Sequence, residues 1–419
     1  MSSTAVLSSA PGKVILFAEH AVVYGVLAIS AALSDLRIFV SVQSSAVPEI
    51  EVVMHDIKAA GTKLPETLRV SCDEVRSLCS IMTPAKPLDA VNPREEDLAL
   101  LRHAFVSMSP QSSQGVMAIC YLVSRLLPEL MQEGKGLIVN VKSVGLPIGA
   151  GLGSSAAFSV ALSGALLQYR QKIYHDVVAK EEATGASSSG TSMGVFDFEK
   201  LRESSKSSAP PETLLPVLNA WAYAAEVVIH GSPSGLDNTT SCYGGALKYE
   251  RNTGKFDRLS KLPDINIMLT NTKVPRSTKE LVAGVRVLHD RLPEVIKPIF
   301  SGIEGISRRF LELMDDSEIS HEDLVSEIGT LFRINQDLLN AIGVGHPSLN
   351  SVAEHSRAQG FACKLTGAGG GGCAITLLDN SENLAGRLEV LQGNLHGLGF
   401  ETFTSSLAGD GVRWHSTQD

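Results

Sequence analysis

One segment of the chain combines closely spaced glycines with two adjacent serines, residue types that can bind phosphate. Residues 146–157 read Leu-Pro-Ile-Gly-Ala-Gly-Leu-Gly-Ser-Ser-Ala-Ala, between a stretch typical of a strand and one typical of a helix. Glycines let backbone amides approach a polyanion, and a helix start adds a positive dipole end. One of Ser154 and Ser155 can cap the helix, which leaves the other hydroxyl for a metal ion or phosphate. The spacing fits neither a Walker A loop nor a Rossmann fingerprint, and a capped glycine turn explains the segment alone equally well.

A second glycine cluster lies closer to the C-terminus. Residues 364–373 read Lys-Leu-Thr-Gly-Ala-Gly-Gly-Gly-Gly-Cys, and apolar runs typical of strands flank them. Four successive glycines cost backbone entropy on folding, so the bare backbone must serve a purpose there. It permits either a tight crossing of strands or the close approach of a ligand, and we favour the ligand.

Charged side chains that could act on a bound phosphate occur in two further segments. Lys13 stands at the head of an apolar strand, and Glu19 and His20 leave that strand together. A lone cation is costly to bury unless it is paired. Without other evidence, the same stretch describes a strand with polar ends.

The fourth segment runs from Glu226 to Asn238. Glu226 lies one helical turn before His230, and Asp237 follows a Pro-Ser-Gly turn that contains Ser234. Such a turn can place the Asp237 carboxylate in a cleft. A helix stop followed by an Asx turn is the plainer interpretation of this segment taken alone.

The surrounding patterns predict the elements that must position these residues. Strands are expected at Lys13–Phe17, Arg37–Val42, Leu137–Val144, Gly245–Tyr249 and Ile265–Thr270. Helices are expected at Ala99–Arg125, Ala156–Tyr169, Glu212–His230 and Thr278–Ala341, the last with breaks at Pro293 and Pro298. Residues 361–378 should form a strand, a glycine loop and a second strand. Strands and helices mix without a regular βαβ rhythm, which favours an α+β fold.

Composition limits the class of protein. The 419 residues are 44% hydrophobic and 19% charged with a net charge of −9, which fits a globular chain of two or three domains. A broad basic surface for nucleic acid or anionic lipid is excluded, and no membrane span or secretory segment is expected. The six cysteines show no zinc spacing, so we expect reduced thiols and a cytoplasmic location. Residues 180–211, rich in Ser, Gly and Thr, predict a mobile surface insertion.

The order and spacing of the four segments resemble the GHMP small-molecule kinases, the superfamily of galactokinase and of homoserine, mevalonate and phosphomevalonate kinases. Within it, residues 11–25, 271–278 and 342–346 are most similar to the mevalonate kinase family of eukaryotes. The resemblance runs from about residue 8 to residue 405 and is weak over 43–95 and 171–211. It implies a two-lobed α+β fold whose active site lies in the cleft between an N-terminal domain, residues 1–262, and a C-terminal domain, residues 263–419.

The same resemblance implies roles for individual residues in an ATP- and Mg²⁺-dependent phosphorylation of the primary alcohol of (R)-mevalonate. It puts the ATP phosphates on Lys13 and on the loop residues Gly149, Ala150, Gly151, Leu152, Gly153, Ser154 and Ser155. It puts Mg²⁺ on Ser155 and Glu226, and catalysis on Lys13 and Asp237. It puts mevalonate beside Glu19, His20, Ser234 and Asp237. Asp237 acts either as a full general base or mainly by orienting Lys13 and the substrate.

Some positions depart from the family pattern. Phe17-Ala18 stands where many members have His-Gly, Tyr24 where histidine is frequent, and Val144 where serine is often found. The four residues assigned to catalysis and to the metal are intact, which argues against a non-catalytic nucleotide or ligand sensor of the same fold. A phosphomevalonate or sugar kinase is the enzymatic alternative. A small-molecule substrate, no nucleic-acid or membrane partner and a possible homodimer complete the expectations.

Overall fold

The computed structural model describes residues 5–58, 63–82, 89–106, 108, 110–130, 134–182, 207–259, 262–263 and 265–416. The strands found there are β1 (Ala5–Phe17), β2 (Ala28–Ser45), β3 (Glu49–Lys58), β4 (Pro65–Ser71), β5 (Gly136–Val144), β6 (Ser207–Ser208), β7 (Ala246–Glu250), β8 (Lys255–Arg258), β9 (Asn266–Asn271), β10 (Cys363–Leu365), β11 (Cys373–Leu377), β12 (Glu401–Ser406) and β13 (Arg413–His415).

The helices of the same residues are α1 (Cys72–Ile81), α2 (Glu95–Ala104), α3 (Pro110–Leu126), α4 (Ser154–Glu182), α5 (Leu215–His230), α6 (Leu236–Tyr243), α7 (Thr278–Arg291), α8 (Pro293–Asp315), α9 (His321–Ala341), α10 (Pro347–Ala358) and α11 (Leu384–Gly397). Short 3₁₀ turns occupy Ala21–Tyr24 and Glu212–Leu214.

Two sheets organise the molecule. The larger follows the order β4-β3-β5-β2-β1-β13-β6, with β7 on β2 and β8 on β7, and the smaller follows β10-β11-β9-β12. Only β3 and β5 pair in parallel among these neighbours. This mixed pairing without βαβ repeats confirms the α+β prediction. We propose a domain boundary at residue 262, which lies between β8, in the larger sheet, and β9, in the smaller sheet. After the smaller sheet the chain returns to the larger one, where β13 pairs with β1.

The hydrogen-bond ladder between β1 and β2 is irregular next to Lys13, one of the candidate catalytic residues. Its register shifts between Pro11 and Lys13. Proline has no amide hydrogen for the ladder, which explains why the slip falls there. The backbone amide of Lys13 instead donates to the carbonyl of Leu152, 2.8 Å away. The first strand is therefore fastened directly to the glycine-rich segment.

Aromatic packing joins the end of β1 to the helices of the second half of the chain. The ring of Phe17 lies 5.3 Å from that of Phe310 on α8 and 5.7 Å from that of Phe332 on α9. All three rings are buried. Edge and tilted contacts of this kind contribute beyond their buried area. They fix the segment that carries Glu19 and His20 against the smaller sheet and its helices.

Two helix predictions were wrong in part. Ala99–Arg125 is divided into α2 and α3, because Pro110 begins a new helix and a residue before proline disfavours helical geometry. In Thr278–Ala341 the break at Pro293 is confirmed, but Pro298 lies inside α8. As the sixth residue of the helix, Pro298 removes one intrahelical hydrogen bond, and the buried face of α8 outweighs that loss. A further break separates α8 from α9, where Ser320 caps the new helix.

The predicted insertion falls mostly outside the described residues, since 183–206 are not among them. Its described flanks are regular structure. Residues 180–182 end α4, and Ser207–Ser208 pair with Trp414 and His415 of β13. The insertion itself, at about residues 180–211, stays a prediction. No helix of the described chain is long and apolar enough to cross a membrane.

Candidate active site

The glycine-rich segment forms a loop between β5 and α4, which we call the phosphate loop (residues 145–153). Gly149, Gly151 and Gly153 have φ values of +77°, +83° and +73°, a region that other residues rarely adopt. The loop runs directly into the first turn of α4. Backbone amides and a helix start thus converge in the way the sequence predicted.

Ser154 and Ser155 have different hydrogen-bond partners from those expected. Helix α4 begins at Ser154, so neither serine precedes the helix as a cap. The hydroxyl of Ser154 accepts a hydrogen bond of 3.3 Å from the amide of Gly149, which closes the loop on itself. Ser155 is left to face other side chains. The capping hypothesis was wrong because the preceding glycine, Gly153, already supplies the backbone geometry of the helix start.

Lys13 is buried beside this loop and points to Asp237. Its Nζ lies 3.1 Å from Oδ2 of Asp237, and the two side chains are 5% and 37% exposed. A Cβ on Gly153 would stand only 2.8 Å from Cγ of Lys13, so this glycine leaves room for the lysine stem. The structure therefore brings together the two residues that the sequence paired, one of them reachable by solvent.

Asp237 owes its position to a tight turn. Gly235, with φ of +80°, precedes α6, and Asp237 is the second residue of that helix. The hydroxyl of Ser234 accepts a hydrogen bond from the amide of Leu236 at 3.3 Å. An acidic residue in the first turn is favoured by the helix dipole. Ser234 itself is exposed, one turn away from the Lys13–Asp237 pair.

Glu226 lies on α5 with its carboxylate held by hydroxyls. Ser155 and Ser159 donate to it at 3.3 Å and 3.0 Å, and it is almost fully buried. Burial, with the nearby charge of Asp237, raises the pKa of Glu226 to about 7. Nε2 of His230 lies 3.0 Å from the Ser155 hydroxyl and 4.0 Å from Glu226, and burial lowers the pKa of this histidine. A buried carboxylate and a hydroxyl without a fixed cation suit a hard divalent ion.

Glu19 and His20 take up fixed places in the interior. The Glu19 carboxylate forms an ion pair with Lys364 and accepts from Asn335 at 3.2 Å, and both charged side chains are fully buried. Nε2 of His20 donates to the carbonyl of Ala368 at 2.7 Å. Its Nδ1 is then the acceptor nitrogen, and it has no partner within the described chain. Burial lowers the pKa of His20, which keeps the ring neutral.

The sequence reasoning gave little weight to Arg276, which lies between the phosphate loop and the second glycine loop (residues 367–372). The guanidinium donates to the carbonyl of Ala150 and to that of Gly371, both at 3.1 Å. The only signal in the sequence was its place in the segment 271–278. Its guanidinium fills the space beside Gly372, whereas Val344, Leu281 and Val274 lie against the three glycines before it.

Comparison with known proteins decides the family. The models of the families described as "GHMP kinases N terminal domain" and "GHMP kinases C terminal" match residues 116–198 and 320–393. A mevalonate kinase of Mus musculus is 37% identical over 99% of this chain and 96% of its own length, and one of Bos taurus is 37% identical over the same shares. The chain belongs to the mevalonate kinase family of the GHMP kinases. Its fold is similar to that of L. major mevalonate kinase, solved in complex with R-mevalonate, with a TM-score of 0.66 at 21% identity and 98% coverage of both chains.

Membership of the mevalonate kinase family makes the chain a transferase that uses ATP. Within the described residues, no three His, Cys, Asp or Glu side chains gather into a metal site. In a mevalonate kinase, phosphate oxygens and water can complete the coordination that Ser155 and Glu226 begin. The donor set is therefore adequate for Mg²⁺ once a nucleotide is present. Cys72, Cys120, Cys242, Cys363 and Cys373 are buried, and none of them forms a disulfide within the described residues.

Proposed function

We propose that the protein transfers the terminal phosphoryl group of ATP to the primary hydroxyl of (R)-mevalonate, giving 5-phosphomevalonate and ADP. The observation that carries the proposal is the Lys13–Asp237 pair at 3.1 Å, fastened to the phosphate loop through the Lys13 amide. A carboxylate and an ammonium beside a phosphate-binding loop are the groups that activate an alcohol for phosphoryl transfer.

The chemical step uses the two partners differently. The C5 hydroxyl of mevalonate gives its proton to the Asp237 carboxylate as its oxygen forms a bond to the terminal phosphorus of ATP. The bond between that phosphorus and the bridging oxygen breaks, and ADP leaves with the electron pair. Lys13 stays charged and offsets the negative charge that develops on the transferred group. Its burial strengthens this effect, because water cannot screen it.

The phosphate loop supplies the nucleotide site. We assign the phosphate oxygens to the amides of this loop from Gly149 to Ser155, where the Gly149 amide would exchange its bond to Ser154 for one to phosphate. Ser155 and Glu226 would hold Mg²⁺, which when bound neutralises charge on the phosphates. A groove of about 580 Å³ lies next to the loop, with Pro147, Ile148 and Phe403 among its lining residues. We assign the adenosine moiety to this groove because it is partly apolar and adjoins the amides.

On the substrate side, His20 is the residue best placed for a hydroxyl. Its free Nδ1 is an acceptor, so it can receive a hydrogen bond from an alcohol of mevalonate. Ser234 is exposed at the turn before Asp237 and can donate to a carboxylate. Glu19 is less suited to direct contact, since Lys364 and Asn335 already engage both its oxygens. It supports the segment that carries His20.

We also propose a cytoplasmic location. The proposed function itself is tested by coupled measurement of ADP release with mevalonate, phosphomevalonate, galactose and homoserine. Turnover of mevalonate well above the other three supports it. No turnover of any of them, with ATP still bound, would identify a nucleotide sensor instead.

A further inference from the structure

The side chain of Arg276 joins two loops that are far apart in the sequence. It comes from the segment between β9 and α7 and reaches the carbonyl of Ala150 with Nη2 and that of Gly371 with Nη1. One planar group thereby connects the phosphate loop to the second glycine loop. A guanidinium offers two separate nitrogens in one rigid plane, one for each carbonyl, whereas an ammonium has a single nitrogen on a flexible stem.

Two glycines make room for this guanidinium. A Cβ on Gly151 or on Gly372 would overlap the guanidinium of Arg276. Both glycines also have positive φ values, +83° and +71°. Gly149, in the same phosphate loop with φ of +77°, would meet nothing within 4 Å. The close contact with Arg276 is therefore a property of Gly151 and Gly372 rather than of every glycine in the loops.

Arg276 has no competing ionic partner. No carboxylate of the described residues lies within ion-pair distance of it, although the side chain is half-buried. Burial lowers the pKa of Arg276. Buried backbone carbonyls need a hydrogen-bond donor. A half-buried guanidinium that donates to loop carbonyls therefore stabilises the backbone conformation of those loops.

We propose that Arg276 is a positioning residue, which holds the phosphate loop in its phosphate-binding shape by locking it to the second glycine loop. The inference rests on the proposed kinase function. It adds a residue that touches neither the reacting atoms nor the proton acceptor but sets the backbone amides that receive the phosphates. Misplacing a bound group by about 1 Å can cost on the order of 10²-fold in rate, so the effect should be measurable.

The first experiment compares Arg276→Lys, Arg276→Met and Arg276→Ala. Lysine keeps the charge but replaces the two fixed nitrogens by one nitrogen on a flexible stem, so we expect kcat to fall at least ~10-fold in all three variants. KM for mevalonate should change little. The control is Arg387→Met, which removes the ion pair between α11 and Asp379 and should keep kcat within about twofold. Wild-type kcat in Arg276→Lys would overturn the two-carbonyl lock.

Chemical rescue separates positioning from a general loss of structure. In Arg276→Ala the space between Gly151 and Gly372 is empty, and added guanidinium ion at tens of millimolar should restore kcat several-fold, with sodium chloride as the salt control. Arg387→Ala should show no such recovery. Failure of guanidinium to restore any activity in a folded Arg276→Ala variant would contradict the proposal.

A cycle of paired variants tests the contact without any substrate. Gly151→Ala should lower the melting temperature more in the wild type than in the Arg276→Ala background, because the overlap is then gone. Gly149→Ala carries the same backbone strain without the overlap, so its cost should be equal in both backgrounds. Equal costs for Gly151→Ala would refute the lock. Because this cycle uses unfolding alone, it still decides the proposal if mevalonate proves not to be the substrate.

Discussion

The ammonium of Lys13 and the carboxylate of Asp237 stand 3.1 Å apart at the junction of a buried and an open region. Lys13 is enclosed by the phosphate loop, and Asp237 is more than one-third exposed. The pair thus presents its acceptor side outward, where an alcohol can arrive, while its cation stays next to the phosphate loop. An ion pair with a purely structural role would not need one buried and one exposed partner.

Replacing Asp237 by Asn tests the role of the acceptor. Asparagine keeps the size but cannot take the alcohol proton, and loss of a general base costs ~10²–10⁴-fold in rate. We expect kcat to fall by that amount while the dissociation constant for ATP, measured by calorimetry, changes little. A fall of less than about tenfold would mean that Asp237 mainly orients Lys13 and the substrate.

The control for this variant is another aspartate paired with a lysine. Asp257 lies 3.2 Å from Lys248 on the hairpin of β7 and β8 and is well exposed. Asp257→Asn should leave kcat within about twofold of wild type, since exposed ion pairs contribute little. A comparable loss in both variants would point to a general electrostatic effect instead of a specific proton transfer.

Sequence patterns predicted those parts of the site that depend on neighbouring residues. The phosphate loop, with the strand before it and the helix after it, follows from glycine and serine spacing within a dozen positions. The Lys364–Glu19 ion pair could not be predicted in this way, because its partners are 345 residues apart and only the tertiary fold joins them. Arg276 was underweighted for the same reason: its acceptors, Ala150 and Gly371, lie 126 and 95 residues away.

Local competition explains the remaining differences. Ser154 was expected to cap α4, but the hydroxyl found a partner in the loop, the amide of Gly149. Pro298 was expected to break a helix, yet the apolar face of α8 buries Ile296, Phe300 and Ile303 and holds the helix together. At Ser154 a hydrogen bond within the loop replaced the cap, and at Pro298 the buried apolar face outweighs the helix-breaking effect of proline.

Magnesium dependence should report on Glu226. Because burial raises the pKa of Glu226 to about 7, its carboxyl is protonated below that pH and ionised above it. Only the ionised form is a good ligand for Mg²⁺. We therefore expect the Mg²⁺ concentration for half-maximal rate to rise as the pH falls from 8 to 6. Glu226→Gln should require more Mg²⁺ at every pH and lose this part of the pH dependence, which separates Glu226 from the titration of ATP itself.

Two adjacent serines give a matched comparison for the same site. Ser155→Ala removes a hydroxyl that contacts Glu226 at 3.3 Å, and it should raise the Mg²⁺ requirement. Ser154→Ala removes only the bond to the Gly149 amide, so it should raise KM for ATP and leave the Mg²⁺ requirement unchanged. Mg²⁺ titrations of both variants decide this. An unchanged requirement in Ser155→Ala and Glu226→Gln together would refute the metal assignment.

The buried pair of Glu19 and Lys364 should govern stability more than catalysis. Lys364→Met leaves a carboxylate buried without its cation, which typically costs about 3–5 kcal/mol. Chemical unfolding should show that loss, and Glu19→Gln combined with Lys364→Met should recover much of it. Lys273→Met, which breaks an exposed pair with Glu401, should cost less than about 1 kcal/mol. If the two single lysine variants are equally stable, the buried pair is not a structural link.

Substrate choice follows from the charges that remain free near the site. Lys13 is shared between Asp237 and the nucleotide, Lys364 is neutralised by Glu19, and Arg276 is engaged by two carbonyls. Of these three described cations, none has a free donor group directed at the extra dianion of phosphomevalonate. The single carboxylate of mevalonate needs less, and its alcohol suits the free Nδ1 of His20.

Galactose would have to satisfy several hydroxyls, whereas the described site offers few unengaged carboxylates and amides for a sugar. Sites built around specific hydrogen bonds discriminate by ~10⁴-fold or more, because a mismatched substrate leaves buried polar groups unpaired. We therefore expect kcat/KM for mevalonate to exceed that for phosphomevalonate and galactose by at least ~10³-fold. Direct competition in the ADP-release assay measures this ratio. Comparable rates on either rival would preserve the kinase chemistry of Lys13 and Asp237 but overturn mevalonate as the preferred substrate, because the hydrogen bonds of this site would then not discriminate.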